Sequence, residues 1–303
     1  MRTTKRFTGK VIERFEREGR GLGAFADYSP YHQVSRGDPA SSGRSHLHVW
    51  RSRLRSLLSD GELSVEFSFC MLPELKDLVE QYPLDWFSDL HPLCRYGCDS
   101  QAEYPGTLQI AEELGLKHPW MRDGSGPWRM TTDFVAILNG GPSLLAVARK
   151  PDPLATLSTR DRREKELLRI EREYWKRRDV EWLLITSDEF DARVVKELRR
   201  SAPWALADSV QSDEKAKAVR IAKANRHASL SQILQATAQA LGSMEAAQAS
   251  LWQSIWRGEL PIDLRRSWRP YLPLRHISEA EFWSLNPVRS RRSAWPKVDP
   301  QEV

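Results

Sequence analysis

The sequence predicts an α/β core followed by a mainly helical domain, and three observations predict it. Residues 132–150 read as strand, turn and strand, and lead into a helix over 160–178 and a nearly all-apolar strand over 180–186. Beyond about residue 188 the pattern changes to mostly helical. Residues 230–264 then read as helix, turn, helix and short strand, the order of a winged helix.

The elements follow in chain order. Residues 8–18 form a short basic helix that Gly19 closes. A loop rich in turn formers comes next, with Gly19, Gly21, Gly23, Asp27, Pro30, Gly37, Pro39, Ser41, Ser42 and Gly43. It carries Arg20, Arg36 and Arg44 beside Tyr28 and Tyr31. Such a loop either follows a phosphate backbone, through arginine and close glycine approach, or is plain surface. A basic run over 50–58 contains Arg51 and Arg53, so Arg20, Arg44, Arg51 and Arg53 are the DNA-contact candidates.

Ser59 then caps a helix, with Glu62 at the capping-box position and Leu63, Phe67 and Cys70 as its buried stripe. Residues 75–82 form a shorter segment. Residues 86–106, with Pro92, Cys94, Gly97, Cys98, Pro105 and Gly106, read as an irregular insertion. Residues 108–114 form a helix that Gly115 closes.

The core hairpin has strands over 132–138 and 144–150, with Asn139, Gly140, Gly141 and Pro142 as the turn. Pro151 and Pro153 stop the second strand. On the helix after it, Leu167, Leu168, Glu171, Tyr174 and Trp175 share one side. The apolar strand over 180–186 is expected to be central. Helices over 214–226, 230–241 and 244–256 follow, and 258–264 reads as a short strand. Three units are therefore expected: 1–188, 189–285, and a disordered basic tail over 286–303.

Composition narrows the function. The chain has 303 residues, 40% hydrophobic and 29% charged, enough for two domains with real cores. It has no apolar run long enough for a membrane span, and no apolar stretch after Met1 that reads as a signal peptide. Three cysteines, an odd number, argue for a reducing cytoplasm. The net charge of +5 is modest, but its distribution is uneven. Residues 1–60 carry 12 Lys and Arg against 6 Asp and Glu, residues 61–143 carry 5 against 13, and residues 257–297 carry 9 against 4. Basic flanks around an acidic middle suit a protein that holds phosphates outside and gathers carboxylates within, or else form only solvated surface.

The acidic middle holds a constellation with chemistry. Phosphodiester hydrolysis needs a divalent metal, an activated water and charge stabilisation at the phosphate. Mg²⁺ takes hard oxygen ligands, one or two of them carboxylates, and Mn²⁺ substitutes for it. Asp133 starts one strand and Lys150 ends its hairpin partner, so antiparallel pairing brings both to one end of the sheet. Glu62 on an earlier helix supplies a second carboxylate, and Glu171 is a possible helper. Each residue also has a structural reading: Glu62 as a cap, Asp133 as a turn residue, Lys150 as a solvated strand end, Glu171 as a helix carboxylate. His91, Cys94, Cys98 and His118 do not have the spacing of a zinc finger. His46 reads as a loop contact. Trp252, Trp256 and Trp268 read as core. Arg257, Arg265, Arg266 and Arg269 fit either phosphates or an acidic partner.

Eight ordered motifs over roughly residues 10–190 resemble the TnsA family of endonucleases. They are Gly19-Arg20-Gly21-Leu22-Gly23 with Asp27-Tyr28-Ser29-Pro30-Tyr31; Ser41-Ser42-Gly43-Arg44-Ser45-His46; Leu57-Leu58-Ser59-Asp60-Gly61-Glu62-Leu63; Gln81-Tyr82-Pro83-Leu84; Ile110-Ala111 with Gly115-Leu116-Lys117-His118-Pro119; Thr131-Thr132-Asp133-Phe134; Lys150-Pro151; and Glu171-Arg172-Glu173-Tyr174-Trp175. The resemblance implies a restriction-endonuclease-like fold and Mg²⁺-dependent cutting at the 5′ strands of transposon ends. It implies two partners, a TnsB-like transposase subunit that joins the 3′ ends and a TnsC-like ATP-dependent regulator. It assigns Glu62, Asp133 and Lys150 to catalysis, with Glu62 and Asp133 on the metal, in a bacterial cytoplasm. The sequence departs from the nuclease pattern at one place. Ala148 stands where Glu or Gln precedes the lysine by two residues, and alanine offers no side-chain ligand. This keeps open a catalytically weakened adaptor that binds DNA and partners. A stand-alone restriction-like nuclease is a further alternative, and neighbouring genes for an integrase-type transposase and an AAA+ regulator discriminate against it.

Overall fold

The computed structural model describes residues 8–35, 38, 44–97, 101–139, 143–151 and 159–296. Arg36, Gly37, Pro39, Ser41, Ser42, Gly43, Cys98, the turn residues Gly140 to Pro142, Pro153 and the tail from Lys297 lie outside the described residues. The chain divides into two units. The first comprises residues 1–63, 74–187 and 293–303, and the second comprises 64–73 and 188–292.

The first unit begins with α1 (Gly9–Arg17), which buries Ile12 and Phe15. It stops where Gly19 takes φ +65, a left-handed conformation open to glycine. The basic run expected over 50–58 is a hairpin, β1 (His46–Trp50) and β2 (Arg53–Leu57), in register from His46↔Leu57 to Trp50↔Arg53. Its two turn residues, Arg51 and Ser52, have φ 49 and 62. A two-residue turn of this type I′ kind needs positive φ at both positions and usually announces itself with Asn or Gly. Arginine and serine there hide the hairpin from sequence.

Helix α2 (Asp60–Cys70) follows, and its residues from Glu62 onward are buried on every side rather than along the single stripe expected. The main sheet has four strands in the order β3 (Leu75–Pro83), β6 (Thr131–Leu138), β7 (Ser143–Arg149) and β8 (Glu181–Ile185). Between β3 and β6 the described residues of the insertion over 86–106 form more regular structure than expected. It contains the small pair β4 (Asp89–Leu90) and β5 (Glu103–Tyr104) and a 3₁₀ turn at Pro92–Tyr96. Helix α3 (Thr107–Glu113) then leads to β6. The pairs β3–β6 and β6–β7 are antiparallel, and β7–β8 is parallel, joined by α4 (Thr159–Lys176). Val135, Ile137, Leu144, Ala146, Ala148 and Leu184 form one core with Leu168, Ile170, Tyr174 and Trp175 of α4.

Strand β8 is not central, because it ends the sheet. Its apolar run is explained by burial under α4 and by the chain at 293–295, which covers the edge. Leu184 N donates to Ser293 Oγ at 3.0 Å, Ala294 N donates to Leu184 O at 2.8 Å, and the Trp295 ring meets Trp182 edge-on at 5.8 Å. The segment from Asn286 to Pro296 is therefore ordered, not a disordered tail. Asn286 and Val288 are buried, and Asn286 Nδ2 donates to Ser68 O at 2.8 Å.

A buried ion-pair group stiffens the far side of β3. The Glu80 carboxylate accepts from Arg53 Nη1 at 2.8 Å, Arg53 Nη2 at 2.6 Å, Arg55 Nη1 at 3.0 Å and Ser56 N at 3.2 Å. All three charged side chains are buried. Removing one partner of such a group leaves the others charged and unpaired in a low-dielectric interior. Glu80→Ala is expected to destabilise the protein by about 3 kcal/mol, read as a lower urea midpoint with an unchanged m-value.

The second unit is mainly helical, with α5 (Ala192–Ala205), α6 (Ser212–Ala224), α7 (Leu230–Leu241), α8 (Met244–Trp256) and α9 (Glu279–Ser284). Ser229 caps α7 with a capping box, and Gly242 at φ +80 turns the chain into α8. Trp252 and Trp256 are buried, as expected, and Trp252 packs on Trp204 and Trp268. The residues around Phe67 join this core, with the Phe67 ring 5.6 Å from Trp256. Among the described residues, no strand forms over 258–264. Ile262 makes a single antiparallel bridge to His276, so the wing of a winged helix is not borne out. No helix of the described residues is long and apolar enough to cross a membrane.

Candidate active site

The site lies at the end of the sheet where β6 begins and β7 ends. Antiparallel pairing continues from Phe134↔Val147, which sets Asp133 beside Ala148 and brings Lys150 to the same end. The alternation along the strands puts Asp133, Ala148 and Lys150 on the face that packs against α4, where Val135, Ile137 and Ala146 also lie. Arg149 faces the other way, as expected. Its guanidinium lies against Gly61, where a Cβ would stand 2.8 Å from Arg149 Nε, so glycine at the start of α2 leaves it room.

Glu62 arrives from the first turn of α2. Its backbone N donates to Ser59 Oγ at 3.1 Å, the cap read from sequence. Its carboxylate folds back as well, accepting from Leu58 N at 2.8 Å and from Ser59 Oγ at 3.3 Å. Capping and ligation were expected to conflict, yet the same carboxylate also accepts from Gln81 Nε2 at 3.3 Å. A carboxylate has about four acceptor positions, so these three bonds do not exhaust it.

Gln81 joins the two acids. Its Nε2 donates to Glu62 Oε2 at 3.3 Å and to Asp133 Oδ1 at 3.5 Å. The other Asp133 oxygen, Oδ2, accepts from Arg149 N at 2.6 Å. Glu62 and Asp133, distant in sequence, thus converge on one amide nitrogen. Burial, and then the Asp133 carboxylate, push the Glu62 carboxyl up to about 8.

Glu171 reaches the cluster from α4. Its Oε1 accepts from Thr132 Oγ1 at 2.8 Å and from Trp182 Nε1 at 3.1 Å. Burial and the Asp133 charge push Glu171 up to about 7, against the opposing pull of Lys150. Lys150 is half-buried, with its Nζ 3.6 Å from Glu164 Oε1. Burial alone would lower its pKa, but Asp133, Glu171 and Glu164 together hold it above the ordinary lysine value. Lys150 is therefore an ammonium at neutral pH, suited to neutralising charge rather than to taking a proton.

The arginine candidates separate. Arg20 is buried, bonded to Asp38 and, through Nε, to Glu18 at 2.7 Å. Arg53 is buried on Glu80. Both are committed to carboxylates of their own unit, which corrects the expectation that they face phosphate. Arg51 is exposed but bonds Lys76 O at 2.7 Å and Leu75 O at 3.1 Å, and Arg44 is exposed. His46 bonds Asp60 Oδ1 at 2.8 Å, a local contact as expected. His91 bonds Arg178 O at 2.9 Å and His118 bonds Thr107 Oγ1 at 3.0 Å, so neither waits for zinc. No group of three His, Cys, Asp or Glu that could hold a metal forms among the described residues. Gln81 is the residue that sequence reasoning missed. Its motif was visible, but its place beside Asp133 follows from a left-handed φ of 52 inside β3, which a glutamine does not advertise.

A mixed four-stranded sheet flanked by helices, with Glu62, Asp133 and Lys150 toward one end, defines an α/β protein. Residues 98–187 match the family described as TnsA-like endonuclease N terminal, a stretch that contains Asp133, Lys150 and Glu171. Transposon Tn7 transposition protein TnsA of Escherichia coli is 34% identical to the chain over 194 residues. The match takes in 63% of this chain and spans 61% of the length of that protein. Over these stretches the chain is similar to TnsA proteins.

Proposed function

We propose that the chain is the DNA-cutting subunit of a heteromeric transposase, which hydrolyses the 5′ strands at transposon ends with Mg²⁺ or Mn²⁺. The observation that carries this reading is the shared contact of Glu62 and Asp133 with one nitrogen, at 3.3 and 3.5 Å. Two carboxylates so placed fit a hard divalent cation that takes one or two carboxylates and fills its remaining positions with water and substrate phosphate. Glu62 is buried beside Asp133, and burial and the Asp133 charge both push its carboxyl up, a cost a cation would offset. Bound there, the cation would supply charge neutralisation at the phosphate and a more acidic water.

The chain's own side chains do the rest. Glu62 and Asp133 hold the site at the end of a rigid sheet. Lys150 places an ammonium on the same face, where charge develops on the phosphate. Glu171, fixed by Thr132 and Trp182, faces Lys150 and Asp133 with a carboxyl poised near neutrality, fit to accept or return a proton. The partners are DNA, a TnsB-like subunit and a TnsC-like regulator, and the protein acts in the bacterial cytoplasm.

The adaptor reading draws on Ala148, which leaves β7 without a side-chain ligand beside Asp133. The two readings part in an assay of 5′-strand nicking by the assembled complex with Mg²⁺. A nuclease nicks, and loses nicking with Asp133→Ala or Lys150→Ala. An adaptor assembles equally with both variants and leaves the 5′ strands intact throughout.

A further inference from the structure

Three observations meet at Gln81. First, its side chain is buried and its terminal amide bonds both acids of the site. The amide nitrogen donates to both carboxylates, and the amide oxygen, a hard donor, sits on the same terminal group. Second, the backbone is shaped to put it there. Gln81 has φ +52 between the pairs Glu80↔Phe134 and Tyr82↔Thr132, so β3 departs from regular pleating at the residue facing Asp133. The Gln81 carbonyl is held by Tyr31 N at 3.3 Å and by Tyr28 Oη at 3.3 Å. Non-glycine residues in left-handed conformations persist where the surroundings enforce them, and such places cluster at functional sites. Third, Asp133 lies on β6 between β3 and β7. Its neighbour on β7 is Ala148, which has no donor, while its neighbour on β3 is Gln81.

We propose that Gln81 is the third side chain of the cation site, and supplies from β3 the amide oxygen that residue 148 does not supply from β7. This rests on the reading of Glu62 and Asp133 as cation ligands. On it, Gln81 bonds the two acids through its nitrogen and turns its oxygen inward when a divalent cation takes their place as partner. Ala148 is then a relocation of the ligand across the sheet.

The test is Mn²⁺ binding to the full chain, read by the loss of the free-ion electron paramagnetic resonance signal, so that no activity is needed. Gln81→Met keeps length and burial but removes the hard donor; Gln81→Glu keeps an oxygen donor and removes the amide. Thermal melting confirms that each variant folds. The expected result is that Gln81→Met weakens Mn²⁺ binding by roughly 10- to 100-fold, while Gln81→Glu binds at least as tightly as the natural chain. Binding by Gln81→Met equal to the natural chain overturns the proposal. Equal loss in both variants also overturns it, because the amide would then serve only to bridge the acids. Asp133→Asn separates the two levels. If it abolishes binding while Gln81→Met does not, the cation site stands and Gln81 is no ligand; if it changes nothing, the cation site itself is misplaced.

Discussion

Asp133→Asn and Lys150→Ala are each expected to lower Mg²⁺-dependent 5′-strand nicking by the assembled complex by about 10³-fold. Asp133 occupies the centre of the site. It shares Gln81 with Glu62 and raises the carboxyls of both Glu62 and Glu171. Asparagine keeps the shape and the bond from Arg149 N but removes the charge that a cation and Lys150 both answer. Lys150→Ala removes the one ammonium that Asp133, Glu171 and Glu164 hold in its charged form. Asp133→Asn leaves the apolar packing of α4 untouched, and Lys150→Ala removes only a part-exposed ion pair to Glu164 on it, so assembly with partners and binding to transposon-end DNA are expected to persist. Gel-based strand mapping on end-labelled DNA measures the nicking, and normal nicking in both variants contradicts the assignment.

The second large effect concerns pH. Glu62 ionises at about 8 in the folded protein against an ordinary 4.5, and Glu171 at about 7 against 4.5. Between the ordinary and the folded values, the folded state binds protons that the unfolded chain has released. Stability is therefore full below about pH 4.5 as far as these groups are concerned, and falls as pH rises through 7 and 8. A cation reverses the sign of this dependence, because its ligands must be deprotonated and its affinity rises over the same window. Thermal melting of the metal-free chain is expected to show Tm falling by several degrees from pH 6 to pH 8.5, and Mg²⁺ or Mn²⁺ is expected to restore it most at the high end. Glu62→Gln removes one of the two titrations. It is expected to flatten the metal-free profile and raise Tm at pH 8.5, while abolishing nicking. A metal-free Tm that rises over this range contradicts the burial argument.

Much of this was legible in the residues. The antiparallel pair β6–β7 follows from the turn residues Asn139 to Pro142 and from Pro151, and it places Asp133 and Lys150 at one end of the sheet. Ser59 and Glu62 declared the start of α2 through capping chemistry. Other features left no local trace. The turn at Arg51 and Ser52 uses residues that rarely take positive φ, so the β1–β2 hairpin read as a basic run. Arg20 and Arg53 read as phosphate contacts because their partners, Asp38 and Glu80, are brought to them only by the fold. The apolar strand β8 read as central, since sequence shows that a strand is covered but not what covers it; here α4 lies over its face and residues 293–295 run along its edge. Gln81 stayed hidden for a related reason. Its role depends on a backbone twist opposite Asp133, and a neutral amide carries no charge signature to draw notice.

The convergence of Glu62 and Asp133 on one cation is tested most directly by diffraction from crystals of the full chain soaked in Mn²⁺, with data collected at the manganese edge. The expected result is an anomalous peak bonded to a Glu62 oxygen and an Asp133 oxygen at about 2.0–2.2 Å, in the range of hard divalent cations, with the Gln81 nitrogen displaced from between them. A peak bonded elsewhere, or carboxylates still joined through Gln81 Nε2 in saturating Mn²⁺, would contradict it.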